Sequence, residues 1–370
     1  MIGTARGLAI LSGALKPGTG GVKAARRRRS VRDWTEPLRV ANAHLLGPAV
    51  YASLLNGDAL AELPVEVRRY LGYLYRENAR RNAALRRQAL EMLDNMEKRG
   101  VEAMLLKGCG TLLGKLHRGA GVRMLRDIDL MVKPQDLPNA LDALHALGYR
   151  VDRRFPAGHH AHAELRRPHD PATLDLHVEL VDPKHVLSAE EVWARSERHE
   201  HEGIAWRAPC PTDFVFHNIL HAQVHFLGDF YRGVLDLHQL YDLAVAMRRF
   251  GAAIDWPFIE ARLRVHRLHR PLQTYLLAAG YFFEAPWPLA ARADAVSRIC
   301  LAQCLIGLLA PQVPLALAPL GNLRGALAWH RMRNLYGERM PLLGLQAIHA
   351  WHFLRKSRAR VIARRVFRTH

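Results

Sequence analysis

Cysteine is scarce in this chain. Four residues in 370, Cys109, Cys210, Cys300 and Cys304, give no disulfide framework, so a reducing compartment is expected. Cys300 and Cys304 share a helix face but lack a second pair or flanking histidines, and read as small core residues. Acid is short too: 34 Asp and Glu stand against 53 Lys and Arg, a formal charge of +19. Most of the excess sits at the ends. Residues 1–32 carry eight Lys and Arg and residues 355–370 carry seven, with no acid in either stretch. Such tails contact nucleic acid, anionic lipid or an acidic partner, or simply keep a protein soluble. Aromatics are not interleaved with the charges, which favours solvated or weakly lipid-associated tails over nucleic-acid binding. Unbroken apolar runs are also rare. Residues 299–323 are uncharged and long enough to span a bilayer, but Pro311, Pro314 and Pro319 interrupt them. A buried helix followed by a loop is expected there. Residues 1–15 make a poor signal peptide, because Arg6 interrupts the apolar part and the arginine cluster follows it. The cytoplasm is the expected location, with room for peripheral contact at the inner membrane through the basic tails.

What is present organises the chain into segments. An apolar content of 49% marks a folded protein, and 370 residues exceed the usual single domain. Residues 1–32, rich in Gly, Ala and Arg, read as a disordered basic tail. Helices are expected over 33–99: one at 40–55 and a long one at 65–98, whose apolar positions recur at threes and fours until Gly100. A core sheet is expected over 100–182, a helical region over 183–354 and a second basic tail over 355–370. The last helix, 342–365, combines apolar residues with many arginines, and packs on the domain or lies on an anionic surface.

The stretch from 105 to 132 concentrates the chemistry. A short strand at 102–106 runs into Lys107-Gly108-Cys109-Gly110, a tight turn opening a helix to about His117. Backbone N–H groups at such a helix start favour an anion, and Lys107 stands at its mouth. An ordinary strand-to-helix turn has the same look. Some 20 residues on, Asp127-Ile128-Asp129-Leu130-Met131-Val132 alternates, so both carboxylates share one strand face. Same-face residues two apart lie roughly 6.5–7 Å apart. That span suits carboxylates reaching one Mg²⁺ or bracketing two ions, or else a solvated edge strand. The strand at 172–180 repeats the pattern, with Asp175, His177 and Glu179 on one face.

Together these pieces resemble the DNA polymerase beta-like nucleotidyltransferase superfamily, and within it the bacterial uncharacterised nucleotidyltransferases. Lys107-Gly108, Arg123 four residues before the first acid, Asp127-Ile128-Asp129-Leu130 and Asp175-Leu176-His177 fill that family's places in order. The likeness covers roughly residues 100–245. It implies an α/β (α+β) fold, a small mixed sheet with N-terminal helices and a larger helical C-terminal region. It also implies an enzyme that moves a nucleoside monophosphate from an NTP, such as ATP, to an acceptor, releasing pyrophosphate. Asp127, Asp129 and Asp175 would hold two Mg²⁺ ions, with Asp175 also serving as general base. Lys107, Gly108, Cys109 and Arg123 would take the triphosphate. Two places depart from the pattern: Cys109 and Leu125 stand where serine or glycine is usual.

Acceptor-side candidates are His177, His221, Arg232 and Asp236. His177 either positions Asp175 or the acceptor, or is hydrogen-bonded beneath the sheet. His217, His221 and His225 recur at i, i+4 and i+8, a spacing open to Zn²⁺ or to a buried or substrate-facing helix. Arg232 and Asp236 read as an i, i+4 ion pair. Two rival functions stand beside the transferase. One is a degenerate protein that docks to nucleic acid, a membrane surface or a protein partner. The other is a toxin-like transferase acting on tRNA or protein.

Overall fold

The computed structural model describes residues 2–17, 30–114, 116–155, 159–225, 228–290 and 292–336, together with residues 344, 347 and 351. The stretch Ile2–Leu15 (α1) is a helix, not part of a disordered tail. Its Leu8, Ile10, Leu11, Ala14 and Leu15 are buried, each worth roughly 1.5–3 kcal/mol for a large aliphatic side chain. Gly7 makes the packing possible, because a Cβ there would come within 3.0 Å of the Glu36 backbone. Composition hides this helix, because its apolar residues are interspersed with Gly3, Gly7 and Gly13 and run on into an arginine-rich stretch.

Next come Val31–Ala43 (α2) and Gly47–Asn56 (α3), two helices where the sequence suggests one. The chain breaks between them at Leu45, which has φ +56. Val65–Glu97 (α4) is the long helix that its periodicity indicates. Val67 and Leu71 in its first half join one core, while Leu85, Ala89, Met92, Leu93 and Met96 join a second.

Ala103–Leu105 (β1) leads into the helix Lys107–Leu113 (α5), which is shorter than expected. Ile128–Val132 (β2) follows, then Leu137–Ala146 (α6), Arg150–Arg154 (β3), Ala161–Arg166 (β4) and Leu174–His177 (β5). The strand β5 is briefer than the alternation suggests. Past His177 the N–H groups of both Val178 and Glu179 turn to the His160 carbonyl.

After Ala189–Arg195 (α7) the sheet returns, as Glu197–His201 (β6) and Ile204–Ala208 (β7). The expected boundary of the sheet at residue 182 therefore misses a hairpin. Its strands are charged and partly exposed, so no apolar alternation announces them. The signal was the two-residue turn Glu202-Gly203, with φ +56 and +80, a conformation that tight hairpins require. The seven strands lie in the order β3-β4-β5-β2-β1-β7-β6, with β2/β5 and β1/β7 parallel and the other pairs antiparallel.

The remaining described helices are Pro211–Gln223 (α8), Asp229–Arg232 (α9), Leu237–Phe250 (α10), Trp256–Val265 (α11), His269–Phe283 (α12), Ala295–Leu309 (α13), Gln312–Ala326 (α14) and Trp329–Tyr336 (α15). The second half of the uncharged run is thus a helix, not a loop. Pro314 falls in the first turn of α14, where its missing N–H costs nothing. No helix among the described residues is long and apolar enough to cross a membrane. The amphipathic segment 342–365 and the basic tail 355–370 lie outside the described residues, apart from the isolated positions given above.

The sheet separates two cores. Ile128, Leu130 and Val132 of β2 face the core shared with the second half of α4 and with α6. Met104, Leu106 and Met131 face the larger core of the helical half. Asp129 of β2 is on this second face, beneath the C-terminal helices.

Candidate active site

The parallel pairing of β2 with β5 sets Asp129 opposite Asp175 and Met131 opposite His177. Asp129 is almost fully buried and Asp175 half-buried. Lys107 Nζ lies 2.7 Å and His177 Nε2 3.0 Å from the same Asp129 Oδ1. Ligand atoms of Asp129, Asp175 and His177 all fall within 4.8 Å of one another. Two carboxylates and an imidazole so arranged suit a divalent cation. The expected trio was Asp127, Asp129 and Asp175. Asp127 instead stands outside this cluster, ahead of the first residue of β2, on the lining of the same cleft.

Electrostatics favour a cation here as well. Burial, followed by the charges of Asp129 and Asp127, pushes the Asp175 carboxyl up to about 7. Asp127 is also raised, by burial and then by Asp129. Burial works on Asp129 in the same direction, but the Lys107 charge and the His177 hydrogen bond hold it well below the usual carboxylate range. Three crowded acids share one neighbouring ammonium.

The glycine turn is built around Arg123. Leu106 N–H donates to the Asp129 carbonyl at 3.0 Å, tying the turn to β2. Lys107 then takes φ +40, a left-handed conformation uncommon for a side chain of its size. A Cβ on Gly108 would collide with Arg123 Nη1 and Leu125 Cδ2. Glycine is needed because a guanidinium and a leucine occupy the space above it.

Leu125, one of the two departures from the family pattern, is thus a packing residue of the turn. Cys109, the other, is fully buried among Leu105, Leu113 and Ile128. Burial pushes its thiol up to about 12. The expectation that its side chain meets a nucleotide is corrected: Cys109 faces the core, not the cleft.

Arg123 is held by a carboxylate that sequence reasoning missed. Its Nε donates to Asp242 Oδ2 at 2.6 Å, and His117 Nε2 lies 2.9 Å from Asp242 Oδ1. Asp242 is buried on α10. Burial opposes its charge, yet Arg123 and His117 hold it far below the usual range. From the other side, Asn78 and Asn82 of α4 both donate to the Arg123 carbonyl, at 2.9 and 2.8 Å. The available signal was a polar residue recurring at i, i+4 on the buried face of α4, and an acid on the apolar face of α10.

Ten of the sequence-derived residues line one cleft of about 630 Å³: Lys107, Gly108, Arg123, Asp127, Asp129, Asp175, His217, His221, Arg232 and Asp236. The expected Arg232–Asp236 pair does not form. These residues belong to different helices, so the i, i+4 argument lapses: Arg232 pairs with Asp229, and Asp236 caps α10 by accepting from His238 N–H at 2.8 Å. His221 Nδ1 lies 2.8 Å from Gln239 Oε1. His225 lies beyond the end of α8, and its ring stacks on His221 at 5.2 Å. His160, which the sequence did not single out, sits 4.5 Å from His225 and 5.2 Å from His177, ring centre to ring centre. Burial lowers these imidazoles, His221 to about 3 and His225 to about 4, so they are neutral near pH 7. Among the described residues, the group able to hold a metal is Asp129, Asp175 and His177, and no trio on α8 joins it.

A mixed sheet with a basic glycine turn and acids facing each other on adjacent parallel strands defines a nucleotidyltransferase-type enzyme. The chain belongs to the family of uncharacterised nucleotidyltransferases, whose model matches residues 30–284. It is also similar to the solution structure of the antibiotic-resistance factor ANT(2″)-Ia. That similarity has 14% identity and a TM-score of 0.36, covering 50% of this chain and 92% of that one. No curated protein matches the chain in sequence.

Proposed function

We propose that this transferase moves a nucleoside monophosphate from an NTP to an acceptor hydroxyl, with Mg²⁺ as the metal and pyrophosphate as the leaving group. The observation that carries this reading is the pairing of Asp129 with Asp175 on adjacent parallel strands, with Lys107 Nζ 2.7 Å from Asp129 Oδ1. Asp129 and Asp175, with Asp127 lining the same cleft and His177 in support, would hold the divalent ions. Bound there, such ions polarise the phosphate and neutralise charge developing on its oxygens.

The chain's own groups supply the remainder. Asp175, half-buried on the cleft lining, accepts the proton of the acceptor hydroxyl. The oxygen attacks the α-phosphorus, a new P–O bond forms, and the bond to the bridging oxygen of pyrophosphate breaks. Lys107 and Arg123 stabilise the triphosphate charge, and the Gly108 turn admits its oxygens. Asp242, Asn78 and Asn82 are positioning residues that fix Arg123.

The test is a double-label transfer. An α-³²P NTP should label an acceptor fraction from a cell extract in a Mg²⁺-dependent manner, whereas γ-³²P should leave as pyrophosphate. Asp175→Asn should abolish both. Appearance of γ-label on the acceptor would mean phosphoryl transfer and defeat this reading.

A further inference from the structure

The polar cleft has an apolar neighbour. A chamber of about 370 Å³ lies between α1, α2, α13 and α14, walled by Leu8, Val40, Leu308, Pro314, Leu315 and Ala318. Five residues, Ala43, His44, Arg232, Val234 and Leu235, line both the chamber and the cleft. Its two cationic side chains are already engaged, Arg39 with Glu36 and Arg232 with Asp229. No carboxylate lines it. The chamber therefore offers a neutral hydrocarbon environment within reach of the metal site.

The helices that form the chamber are fitted closely to the cleft wall. A Cβ on Gly307 would approach the Gly233 carbonyl to 2.8 Å, and one on Gly321 the Arg232 Cα to 2.9 Å. Outside, the same helices expose apolar surface. Eight of the sixteen exposed large apolar side chains among the described residues belong to α13 and α14, with Leu315 at 76% exposure. Scattered apolar residues need no explanation, but a concentrated patch marks an interaction. Leu315 belongs both to this exposed set and to the chamber lining, and the chamber in turn shares five lining residues with the cleft. On the cleft side, Asn218, Gln239, His217 and His221 are neutral hydrogen-bonding groups. His217 is buried, and its Nε2 has no hydrogen-bond partner among the described residues.

Building on the transferase reading, we propose that the acceptor is an amphiphile. A neutral, hydroxyl-bearing head enters the carboxylate cleft, and a hydrocarbon tail lies in the chamber and passes out over α14. The occupant is thus a lipid-like alcohol or glycolipid, not a free sugar.

The full chain can be titrated with n-octyl β-D-glucoside below its micelle concentration, and with D-glucose, by calorimetry. Burying two methylenes is worth about tenfold in affinity, so the octyl glucoside should bind more than about tenfold tighter than glucose. Ala318→Trp fills the chamber, and Leu315→Asp places a charge at its mouth, at a position 76% exposed. Each should weaken the octyl glucoside about tenfold while leaving Mg²⁺-dependent NTP binding intact. Equal affinity for the two probes, or indifference of both variants, would overturn the proposal. So would a dimer that Leu315→Asp dissociates without any probe, since a second copy would then be the occupant. Chain-dependent probe binding by a protein that takes no NTP would defeat the transferase reading and leave the apolar chamber in place. NTP binding without preference for the octyl chain would do the reverse.

Discussion

Removing the charge of Asp242 is the sharpest perturbation of the scaffold around the cleft. The carboxylate is buried and serves both Arg123, at 2.6 Å, and His117, at 2.9 Å. Asp242→Asn keeps the shape and one acceptor oxygen but leaves the Arg123 guanidinium, 15% exposed, without its counter-charge. Breaking a buried pair in this way costs about 3–5 kcal/mol, and the retained amide oxygen places this variant near the lower figure. A protein with ordinary stability, about 5–15 kcal/mol, survives that loss and remains measurable by urea unfolding.

Arg123 should also loosen over the Gly108 turn. Loss of one charge-assisted hydrogen bond to the triphosphate is worth about 1.5–3 kcal/mol, or roughly ten- to 150-fold in NTP affinity. The pH dependence follows from the sign of the shift. Asp242 is depressed in the folded state, so its contribution is present above the unfolded carboxyl pKa and is lost as pH falls through the folded value. Wild type should therefore lose stability toward acid more steeply than the Asn variant. Unfolding midpoints within about 0.5 kcal/mol of each other, a typical surface-substitution effect, with unchanged nucleotide affinity, would refute the reasoning.

Other substitutions separate packing from chemistry. Gly108→Ala places a methyl group against Arg123 and Leu125 and should cost about 1–3 kcal/mol as overpacking, with nucleotide binding weakened in calorimetry; an unaltered protein would mean that the turn is loose. Cys109→Ser should not improve nucleotide binding, because the side chain faces the core; it should destabilise by about 1–3 kcal/mol in a thermal melt. Asp175 is raised to about 7 in the folded metal-free protein, so its contribution to stability declines as pH rises from the unfolded pKa through about 7. Mg²⁺ requires the ionised carboxylate, and should therefore raise the melting temperature more at pH 8 than at pH 5.5.

The sequence disclosed the parts of the site that are local. Asp127, Asp129 and Asp175 stand beside alternating apolar residues, and alternation alone assigns a strand face. Lys107 and Gly108 announce a turn by composition. Arg123 was found by its spacing, but its anchor Asp242 lies 119 residues away, and no local pattern joins them. The asparagines of α4 were hidden for the same reason, since their partners are carbonyls of a connection folded back onto the helix. The β6–β7 hairpin escaped because edge strands with charged faces lack apolar alternation. Helix α1 escaped because a basic, glycine-containing composition masks a buried apolar stripe. Arg232 and Asp236 misled because helical spacing was assumed across the break at Gly233, where φ is +65.

The most direct test of the central claim is calorimetric titration of Mg²⁺ with each NTP into the wild type and into an Asp127→Asn/Asp129→Asn variant shown to be folded by circular dichroism. Metal-dependent binding of a triphosphate by the wild type, lost in the variant, is the expected result. Binding that is equal in both proteins, or absent from the wild type, would contradict a metal-dependent nucleotidyl transfer at these carboxylates.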